Sequence, residues 1–334
     1  MKIFITGASG YIGSLLINSW LSNPEIEKII ALDVKSPRFL WNENNPKIHF
    51  IQKNLADINI EEELKSFGSV DVVIHAAYFI RTPYFKKALI YQRYSNFDGA
   101  KNIFEFCFKN NIKKLIHFGT VASYGARLEN SLDKKFRESD SLEEEAIAYG
   151  CDKKIIEENL SQFFEDHKPA TDVVVLRLGS VSGPFLINTV KKIGLLSFFR
   201  GLSPFIPITG ELSARQYIHE DDVVSAINFL IRKGSSQNEI NIYNLAADCY
   251  LTFREIASRL KKKTIKIPFS LANLVFRIFW NLSCGLVPTP PNVINSYTFP
   301  IIVDNSKLIA AGFKYKFNCQ ESLLGSAGKF ANPL

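Results

Sequence analysis

The sequence has few of the residues that build disulfide frameworks or metal sites. Its five cysteines are an odd number and form no Cys-x-x-Cys pair: Cys107, Cys151, Cys249, Cys284 and Cys319. Such usage is typical of reduced thiols in a cytosolic protein rather than of a disulfide-stabilised secreted one. We therefore expect neither disulfide bonds nor a metal site.

Long hydrophobic runs and targeting segments are also lacking. The chain enters a predicted strand, Ile3 to Ile5, without a charged start and a long apolar region, so we expect no secretory signal and a cytoplasmic location. The most apolar stretch, Leu271 to Val287, is interrupted by Asn273, Arg277 and Asn281 within about the 20 residues that a membrane span requires. We interpret it as a buried amphipathic helix. The alternative is a peripheral contact with a membrane or a partner through its aromatic residues.

Charge of one sign is nowhere concentrated enough to indicate a nucleic-acid partner. The chain carries 40 basic and 33 acidic residues, a formal net charge of +7, and its densest basic run is only Lys261 to Lys263. Dispersed charges of this kind are typical of solvated surfaces, and attraction of an anionic substrate is a secondary possibility. We expect no nucleic acid to bind.

What the sequence does contain is an alternation of short apolar runs with helical patterns. The predicted strands are Ile3 to Ile5, Ile29 to Leu32, Ile48 to Ile51, Val70 to Ile74, Lys114 to Phe118 and Val173 to Leu176. Helical spacing separates them, for example over Tyr11 to Leu21 and Gly99 to Phe108. Strands that are apolar on both faces indicate a parallel sheet covered by helices on both sides, which is a doubly wound α/β fold.

A second, smaller lobe is predicted because 334 residues exceed one typical core and the rhythm changes after Leu178. A Gly- and Pro-containing stretch leads there to a helix candidate near Thr189 to Phe199. A later strand candidate, Glu239 to Leu245, indicates that the chain returns to the first lobe. We predict a cofactor domain of residues 1–178 plus about 215–248, interleaved with a substrate lobe of residues 179–214 plus about 249–334.

Glycines at positions 7, 10 and 13 follow the first strand and open a helix. They allow a tight turn, close approach of the backbone to a pyrophosphate, and close packing of helix on strand. Asp33 ends the second strand, where it can accept hydrogen bonds from a ribose and repel a 2′-phosphate. This favours NAD over NADP, although Lys35 or Arg38 could turn towards a phosphate.

The glycine spacing resembles the fingerprint of the extended short-chain dehydrogenase/reductase superfamily, in particular the NAD-dependent epimerase/dehydratase family that includes UDP-galactose 4-epimerase. Further stretches are similar to family segments in the same order: Asn54 to Asp57, His75 to Ala77, Asn96 to Gly99, Arg177 to Pro184, Arg215 to Asp222 and Tyr243 to Leu245. The resemblance covers about residues 1 to 260 and implies a Rossmann fold. It also implies cofactor contacts from Gly7, Ser9, Gly10, Tyr11, Ile12, Gly13, Asp33, Leu55, Asp57, Ala76, Ala77, Asn96, Tyr149 and Lys153.

Tyr149 and Lys153 are four residues apart in a predicted helix, Ala148 to Phe163, so their side chains share one face. A tyrosine needs a nearby positive charge to act as a base near neutral pH, and Lys153 can supply it. The pair resembles the catalytic pair of the family. Its third member, a hydroxyl at the end of a strand, corresponds to Thr120, with Ser123 as the weaker candidate.

The resemblance implies hydride transfer at a hydroxyl of a nucleotide sugar, giving an epimerase or a dehydrogenase. Sugar 4,6-dehydratases of the family carry an Asp-Glu pair directly after the threonine, whereas this chain has Val121 and Ala122. Dehydration is therefore disfavoured. Two other functions stay open: an oxidoreductase similar to the 3β-hydroxysteroid dehydrogenases, and a non-catalytic NAD(H)-binding redox sensor.

Substrate-binding candidates lie in the family-like segments. Arg215 is expected to bind a diphosphate, since a planar guanidinium suits it, and Ser180 is expected to contact substrate. Arg177 is as readily a structural ion-pair partner, and His219 is more readily a structural hydrogen-bonding residue than an acid or base. A run of three acids, Glu143 to Glu145, is interpreted as a solvated helix start. A homodimer is an expectation from the family alone.

Overall fold

A parallel sheet of seven strands lies at the centre of the computed structural model, which describes residues 1–190, 199–201, 203–234 and 239–331. The strands along the chain are β1 (Lys2–Thr6), β2 (Lys28–Asp33), β3 (Ile48–Gln52), β4 (Val72–His75), β5 (Lys114–Thr120), β6 (Asp172–Leu178), β7 (Ser180–Ser182), β8 (Phe205–Ile208), β9 (Ala214–Arg215), β10 (Tyr217–His219), β11 (Asn241–Leu245), β12 (Leu251–Thr252) and β13 (Lys263–Lys266). The central sheet has the order β11-β6-β5-β4-β1-β2-β3. Three two-stranded sheets, β10-β7, β12-β9 and β13-β8, lie outside it.

Helices cover both faces of this sheet. They are α1 (Tyr11–Leu21), α2 (Ile60–Leu64), α3 (Lys86–Lys109), α4 (Ala148–His167), α5 (Glu220–Arg232), α6 (Phe253–Arg259), α7 (Phe269–Leu282), α8 (Val293–Thr298), α9 (Ser306–Ala310) and α10 (Cys319–Leu324). The first helix has its predicted bounds. Helix α3 begins well before the predicted Gly99. Its first half was not predicted because it is largely exposed and lacks an apolar stripe. The helix predicted near Thr189 to Phe199 falls mostly outside the described residues.

The doubly wound fold is confirmed by the packing of the first strand. Ile3 and Ile5 point to one side of the sheet and pack with Leu16 of α1. Phe4 points to the other side, where its ring lies 6.4 Å from that of Phe106 on α3. A strand buried on both faces needs a helix layer on each side, which is what the unbroken apolar runs predicted.

The chain leaves the central sheet after β6 and returns to it in β11, which pairs with β6 in parallel. Between and after these strands, a separate core cluster forms around Phe199, Ile208 and Phe253. Leu308 and Phe313, late in the chain, pack instead with the core of the central sheet. The division into two interleaved lobes stays a prediction, and the late segment contributes to both cores.

The prediction that Leu271 to Val287 is buried is wrong for most of its side chains. Helix α7 buries only Ala272 and Trp280, while Leu274 and Leu282 are 54% and 81% exposed. Burial requires an element on both sides, and the described residues place none over the outer face of α7. No helix within these residues is both long and apolar enough to cross a membrane.

Candidate active site

The site predicted from the sequence lies where the strand order of the central sheet reverses. Strand β1 pairs with β2 on one side and with β4 on the other. In open α/β sheets, ligands bind at such a switch point, beyond the carboxyl ends of the strands. The loops after β1 and β4 therefore form the two walls of one crevice.

The glycine loop after β1 is packed too tightly for side chains. Gly7 has a φ of +73°, and a Cβ there would lie 2.7 Å from the nitrogen of Ala77 in the opposite wall. A Cβ on Gly13 would lie 2.2 Å from the Gly7 carbonyl oxygen. Helix α1 begins directly after Gly10 of this loop, and in the described structure it has no side-chain cap and no acid in its first turn, so its positive end is free to interact with an anion. This cradle fits the pyrophosphate of a dinucleotide.

Asp33, at the end of β2, lies beside this cradle. One carboxylate oxygen accepts a hydrogen bond from the Ser9 backbone nitrogen at 3.0 Å, and the other accepts from Lys35 at 3.0 Å. Burial raises the pKa of Asp33, and these two backbone hydrogen bonds oppose the shift. The Ser9 hydroxyl donates to the Lys35 carbonyl at 2.7 Å. Asp33, the residue predicted to bind the ribose, is thus hydrogen-bonded to the glycine loop itself.

The short turn Leu55–Asp57 follows β3 and packs against α3. A side-chain oxygen of Asp57 accepts from the Tyr94 hydroxyl at 2.7 Å, and Asn54 caps the turn through the Ala56 nitrogen. Leu55 points into the core, 3.4 Å from the position of a Cβ on Gly99. The side chain of Leu55 therefore packs in the core, and its backbone carbonyl accepts from Asn102 of α3 at 3.0 Å.

Asn96 on α3 holds the loop that follows β4. Its amide oxygen accepts from the Phe79 backbone nitrogen at 2.8 Å, and its amide nitrogen donates to the Phe79 carbonyl. Ala77, in the same loop, donates its backbone N–H to the hydroxyl of Thr6 at 3.2 Å. The predicted cofactor contacts Ala76, Ala77 and Asn96 are thereby brought together opposite the glycines.

The three predicted catalytic residues converge next to this crevice. Thr120 is the last residue of β5, and Tyr149 and Lys153 lie one turn apart on α4. Helix α4 comes close to β5 because Gly150 has no side chain: a Cβ there would lie 2.8 Å from the Ala122 carbonyl oxygen. The hydroxyl of Thr120 hydrogen-bonds Tyr149 and opposes the rise in the pKa of Tyr149 that burial causes.

Ser123, the weaker candidate for the catalytic hydroxyl, is buried and donates to the Gly150 carbonyl at 3.2 Å. That hydroxyl fixes the start of α4 to the turn after β5. Thr120 accepts only a backbone hydrogen bond, from Ala122 at 3.2 Å, besides its contact with Tyr149. The geometry favours Thr120 over Ser123.

Lys153 is almost completely buried. Its Nζ donates to the Phe118 carbonyl at 2.6 Å and lies 4.3 Å from the centre of the Tyr78 ring. Burial lowers the pKa of Lys153 to about 7, and the charge of Glu157 opposes this shift. Lys153 is therefore poised between its charged and neutral forms near neutral pH.

The two arginines of the family-like segments have different surroundings. Arg177 is buried and forms an ion pair with Glu157 at 2.6 Å, which confirms the structural interpretation of this residue. Arg215, at the end of β9, donates to the Ser296 carbonyl of α8, and burial lowers its pKa. The described residues provide no carboxylate partner for Arg215. Arg215 is partly rather than fully buried, so its guanidinium is available to an anionic ligand.

Ser180 lies on β7 beside Tyr217 of β10 and is partly buried. His219 is fully buried: its Nδ1 accepts from the Asp221 nitrogen at 3.1 Å, and its Nε2 donates to the Ala327 carbonyl at 3.0 Å. The structural interpretation of His219 is confirmed. Both ring nitrogens form hydrogen bonds with the backbone, so neither is available for acid–base chemistry.

Two residues have roles that sequence reasoning missed. Tyr11 of the glycine motif donates its hydroxyl to Glu220, which is buried and also accepts from the Phe185 and Leu186 nitrogens.

Glu144 is buried rather than solvated, which corrects the interpretation of the Glu143 to Glu145 run. It accepts the backbone hydrogen bonds of the turn before α4, including the Ile147 nitrogen at 2.8 Å. Neither contact leaves a signal in local spacing.

A fold with this strand order, a glycine cradle at the switch point and a Tyr-x-x-x-Lys pair beside it defines a dinucleotide-dependent enzyme of the short-chain dehydrogenase/reductase type. Residues 3–246 match the NAD-dependent epimerase/dehydratase family. The chain therefore belongs to this family, as the resemblance predicted, and NAD is the cofactor.

Known proteins of several activities are similar to this chain. A dTDP-D-glucose 4,6-dehydratase of Dictyostelium discoideum is 28% identical over 276 residues, which are 78% of this chain and 61% of that protein. An ADP-L-glycero-D-manno-heptose-6-epimerase of Brachyspira hyodysenteriae is 25% identical over 330 residues, covering 94% of this chain and 93% of that protein. Among solved structures, the UDP-glucose 4-epimerase of Thermotoga maritima with UDP-glucose superposes with a TM-score of 0.73 at 22% identity and covers 97% of each chain.

Proposed function

We propose that the protein is an NAD-dependent sugar-nucleotide epimerase or dehydrogenase in which Tyr149 is the general base. The observation that carries the proposal is the convergence of Thr120, Tyr149 and Lys153 beside the glycine cradle. A redox sensor has no need of this cluster, because it binds the dinucleotide without transferring a proton from a substrate.

Each member of the cluster addresses one requirement of the reaction. Tyr149 removes the proton of a substrate hydroxyl, a step that typically contributes about 10²- to 10⁴-fold to the rate. Thr120 hydrogen-bonds the same substrate oxygen, and Lys153 holds the nicotinamide ribose. NAD, when bound, supplies the hydride acceptor.

Arg215 and the relatives both support a nucleotide sugar as the substrate class. A partly buried guanidinium without a carboxylate partner in the described structure suits a diphosphate, which can accept two parallel hydrogen bonds. The names of the three similar proteins above each include a nucleoside-diphosphate sugar. Ser180 is our second candidate for a substrate contact.

Epimerisation or net oxidation is favoured over dehydration. Elimination of water needs an additional acid and base, and the two positions after Thr120 hold Val121 and Ala122. A ketone that turns over and takes hydride back on its other face gives an epimer. A ketone that leaves gives a dehydrogenase product.

The test is a product analysis with UDP-, dTDP- and ADP-sugars in the presence of NAD, followed by NMR. We expect an epimer, or an oxidised sugar with stoichiometric NADH. A 4-keto-6-deoxy sugar would overturn the exclusion of dehydration, and turnover of hydroxysteroids alone would overturn the substrate class. NAD binding without turnover of any substrate would favour the sensor.

A matched pair of variants tests the assignment of the hydroxyl. Thr120→Val should lower turnover strongly, because the hydrogen bond to the substrate oxygen is lost. Ser123→Ala removes a buried hydroxyl that only contacts the Gly150 carbonyl and should retain most of the activity. The reverse order would transfer the role to Ser123.

A further inference from the structure

Helix α7 has an apolar face that points away from the protein. Four side chains lie along one stripe of the helix, with exposed fractions of 50% for Leu271, 54% for Leu274, 45% for Ile278 and 81% for Leu282. The opposite side of the helix is buried through Ala272 and Trp280. Both the outer and the inner face of α7 are thus apolar, and only a narrow strip between them is polar.

The loop after β4 extends this apolar surface. Arg81 donates to the carbonyls of Gly285 at 2.7 Å and Leu286 at 2.8 Å, which fastens the loop to the end of α7. The exposed side chains of Ile80 (67%) and Phe85 (64%) lie in this loop. We call the surface formed by the outer stripe of α7, Leu286, Ile80 and Phe85 the apolar platform.

The two stretches of chain that build the apolar platform contain no acidic residue. Neither residues 72–97 nor residues 256–303 include an Asp or a Glu, although the whole chain has 33. The basic residues of these stretches are Arg81, Lys86, Lys87, Arg93, Arg259, Lys261, Lys262, Lys263, Lys266 and Arg277.

Some of these cations are paired and some are not. Lys266 pairs with Glu211, and Arg93 pairs with Asp152 at 3.1 Å. Lys86, Lys87 and Arg277 are exposed and form no ion pair with any described residue. Unpaired positive charge therefore adjoins the apolar platform, next to Phe85 and on α7 itself.

We propose that the apolar platform docks the protein on an anionic lipid surface. An exposed apolar helix face lying in the headgroup region, flanked by Lys and Arg, is the combination that binds negatively charged bilayers. The 14 residues of α7 extend over about 21 Å, so the helix would lie along the surface rather than cross it. A second copy of the chain would bring the same unpaired positive charge to this face, which disfavours self-association through it.

The experiment is co-sedimentation of the full chain with vesicles of phosphatidylglycerol and phosphatidylcholine, compared with vesicles of phosphatidylcholine alone. We expect binding to the anionic vesicles only, and release by high salt. Leu274→Ser with Leu282→Ser should weaken this binding at least about 10-fold, since binding scales with the apolar area inserted. Leu128→Ser is the matched control, because Leu128 is 79% exposed but lies beside the acidic Glu129.

Charge reversal gives a second, independent readout. Lys86→Glu with Lys87→Glu should also weaken binding about 10-fold or more, because each basic residue near the surface contributes about a fivefold factor. Lys65→Glu with Lys314→Glu changes net charge equally at exposed sites outside both stretches and should have a much smaller effect.

Three results would overturn the proposal. One is the absence of sedimentation with anionic vesicles. Another is equal binding to both vesicle types, unaffected by salt or by the lysine variants. The third is concentration-dependent self-association, abolished by the leucine variant in a protein that binds no vesicles, since the platform would then be covered by a second copy.

Discussion

The crevice of the central sheet and the region around α7 and α8 are built in opposite ways. In the crevice, the Asp33 carboxylate accepts two backbone hydrogen bonds, from Ser9 and Lys35, which hold both of its oxygens. Around α8, Arg215 reaches a carbonyl 81 positions away in the chain and has no carboxylate partner in the described structure. The crevice therefore holds polar groups already oriented for a cofactor, whereas the region around α7 and α8 has a cation without a carboxylate partner in the described structure and an exposed apolar surface.

Tyr149→Phe gives the largest expected effect and tests the chemistry of the crevice. Turnover should fall by at least about 10²-fold because the general base is gone. NAD affinity should be unchanged, since the ring that contacts Tyr78 at 5.6 Å remains. Steady-state kinetics and a calorimetric NAD titration measure the two, with Tyr250→Phe as control. Turnover like that of the wild type would remove Tyr149 from the catalytic role.

Gly13→Ala tests whether the crevice depends on its tight packing. The added Cβ would lie 2.2 Å from the Gly7 carbonyl oxygen, so the loop must shift, at a cost of about 1–3 kcal/mol. NAD affinity should therefore fall by about 10- to 100-fold. Gly234→Ala is the control, because no atom lies within 4 Å of its added Cβ. Equal NAD affinity in both variants would show that the cradle does not bind the cofactor.

Arg215→Ala sharpens the contrast between the two regions. Loss of a charged hydrogen bond, worth about 1.5–3 kcal/mol, should lower the affinity for a UDP-sugar by roughly 10- to 100-fold and leave NAD affinity unchanged. Arg254→Ala, which removes an exposed arginine paired with Glu211, serves as control. A parallel loss of both ligands would indicate a folding defect, and no loss of either would favour an apolar substrate.

Lys153→Met gives the smallest expected effect, on stability. Burial lowers the pKa of Lys153 to about 7, whereas an unfolded lysine titrates near 10.4. Between these values the unfolded chain binds a proton that the folded chain lacks, so the lysine destabilises the fold increasingly as the pH falls from about 10.4 to 7. At pH 7 the free energy of unfolding of the variant should exceed that of the wild type by about 1 kcal/mol, after the lost hydrogen bond to Phe118 is taken into account.

That gain should shrink as the pH rises towards 10, as measured by chemical denaturation without NAD. Lys154→Met, on the next residue of the same helix, should show no pH-dependent gain. A gain that grows with pH would contradict the burial of this charge.

Sequence reasoning predicted the parts of the molecule that depend on local pattern. The strands of the central sheet, the bounds of α1 and the glycine spacing each follow from residues a few positions apart, and so does the shared face of Tyr149 and Lys153. The short strands β7 to β10, β12 and β13 were not predicted. Residues separated by long stretches of chain were not predictable in this way. The contact between Tyr11 and Glu220 joins positions 209 apart, and nothing in either neighbourhood indicates it.

The exposure of α7 shows the same limit. Its apolar residues indicate a helix, but whether they are buried depends on what else packs there. Glu144 shows the converse case, since an acidic run at a predicted helix start is usually solvated. Here its middle residue satisfies the backbone of a buried turn.

The late return of the chain to the central sheet limits how this protein can be divided. Strand β6 has β5 on one side and β11 on the other, and β11 follows β7 to β10 and α5 in the chain. A fragment ending at Leu178 would leave β6 as an uncovered edge, open to pairing with other chains. We expect such a fragment to aggregate, so separating the two predicted lobes requires a circularly permuted chain rather than a truncated one.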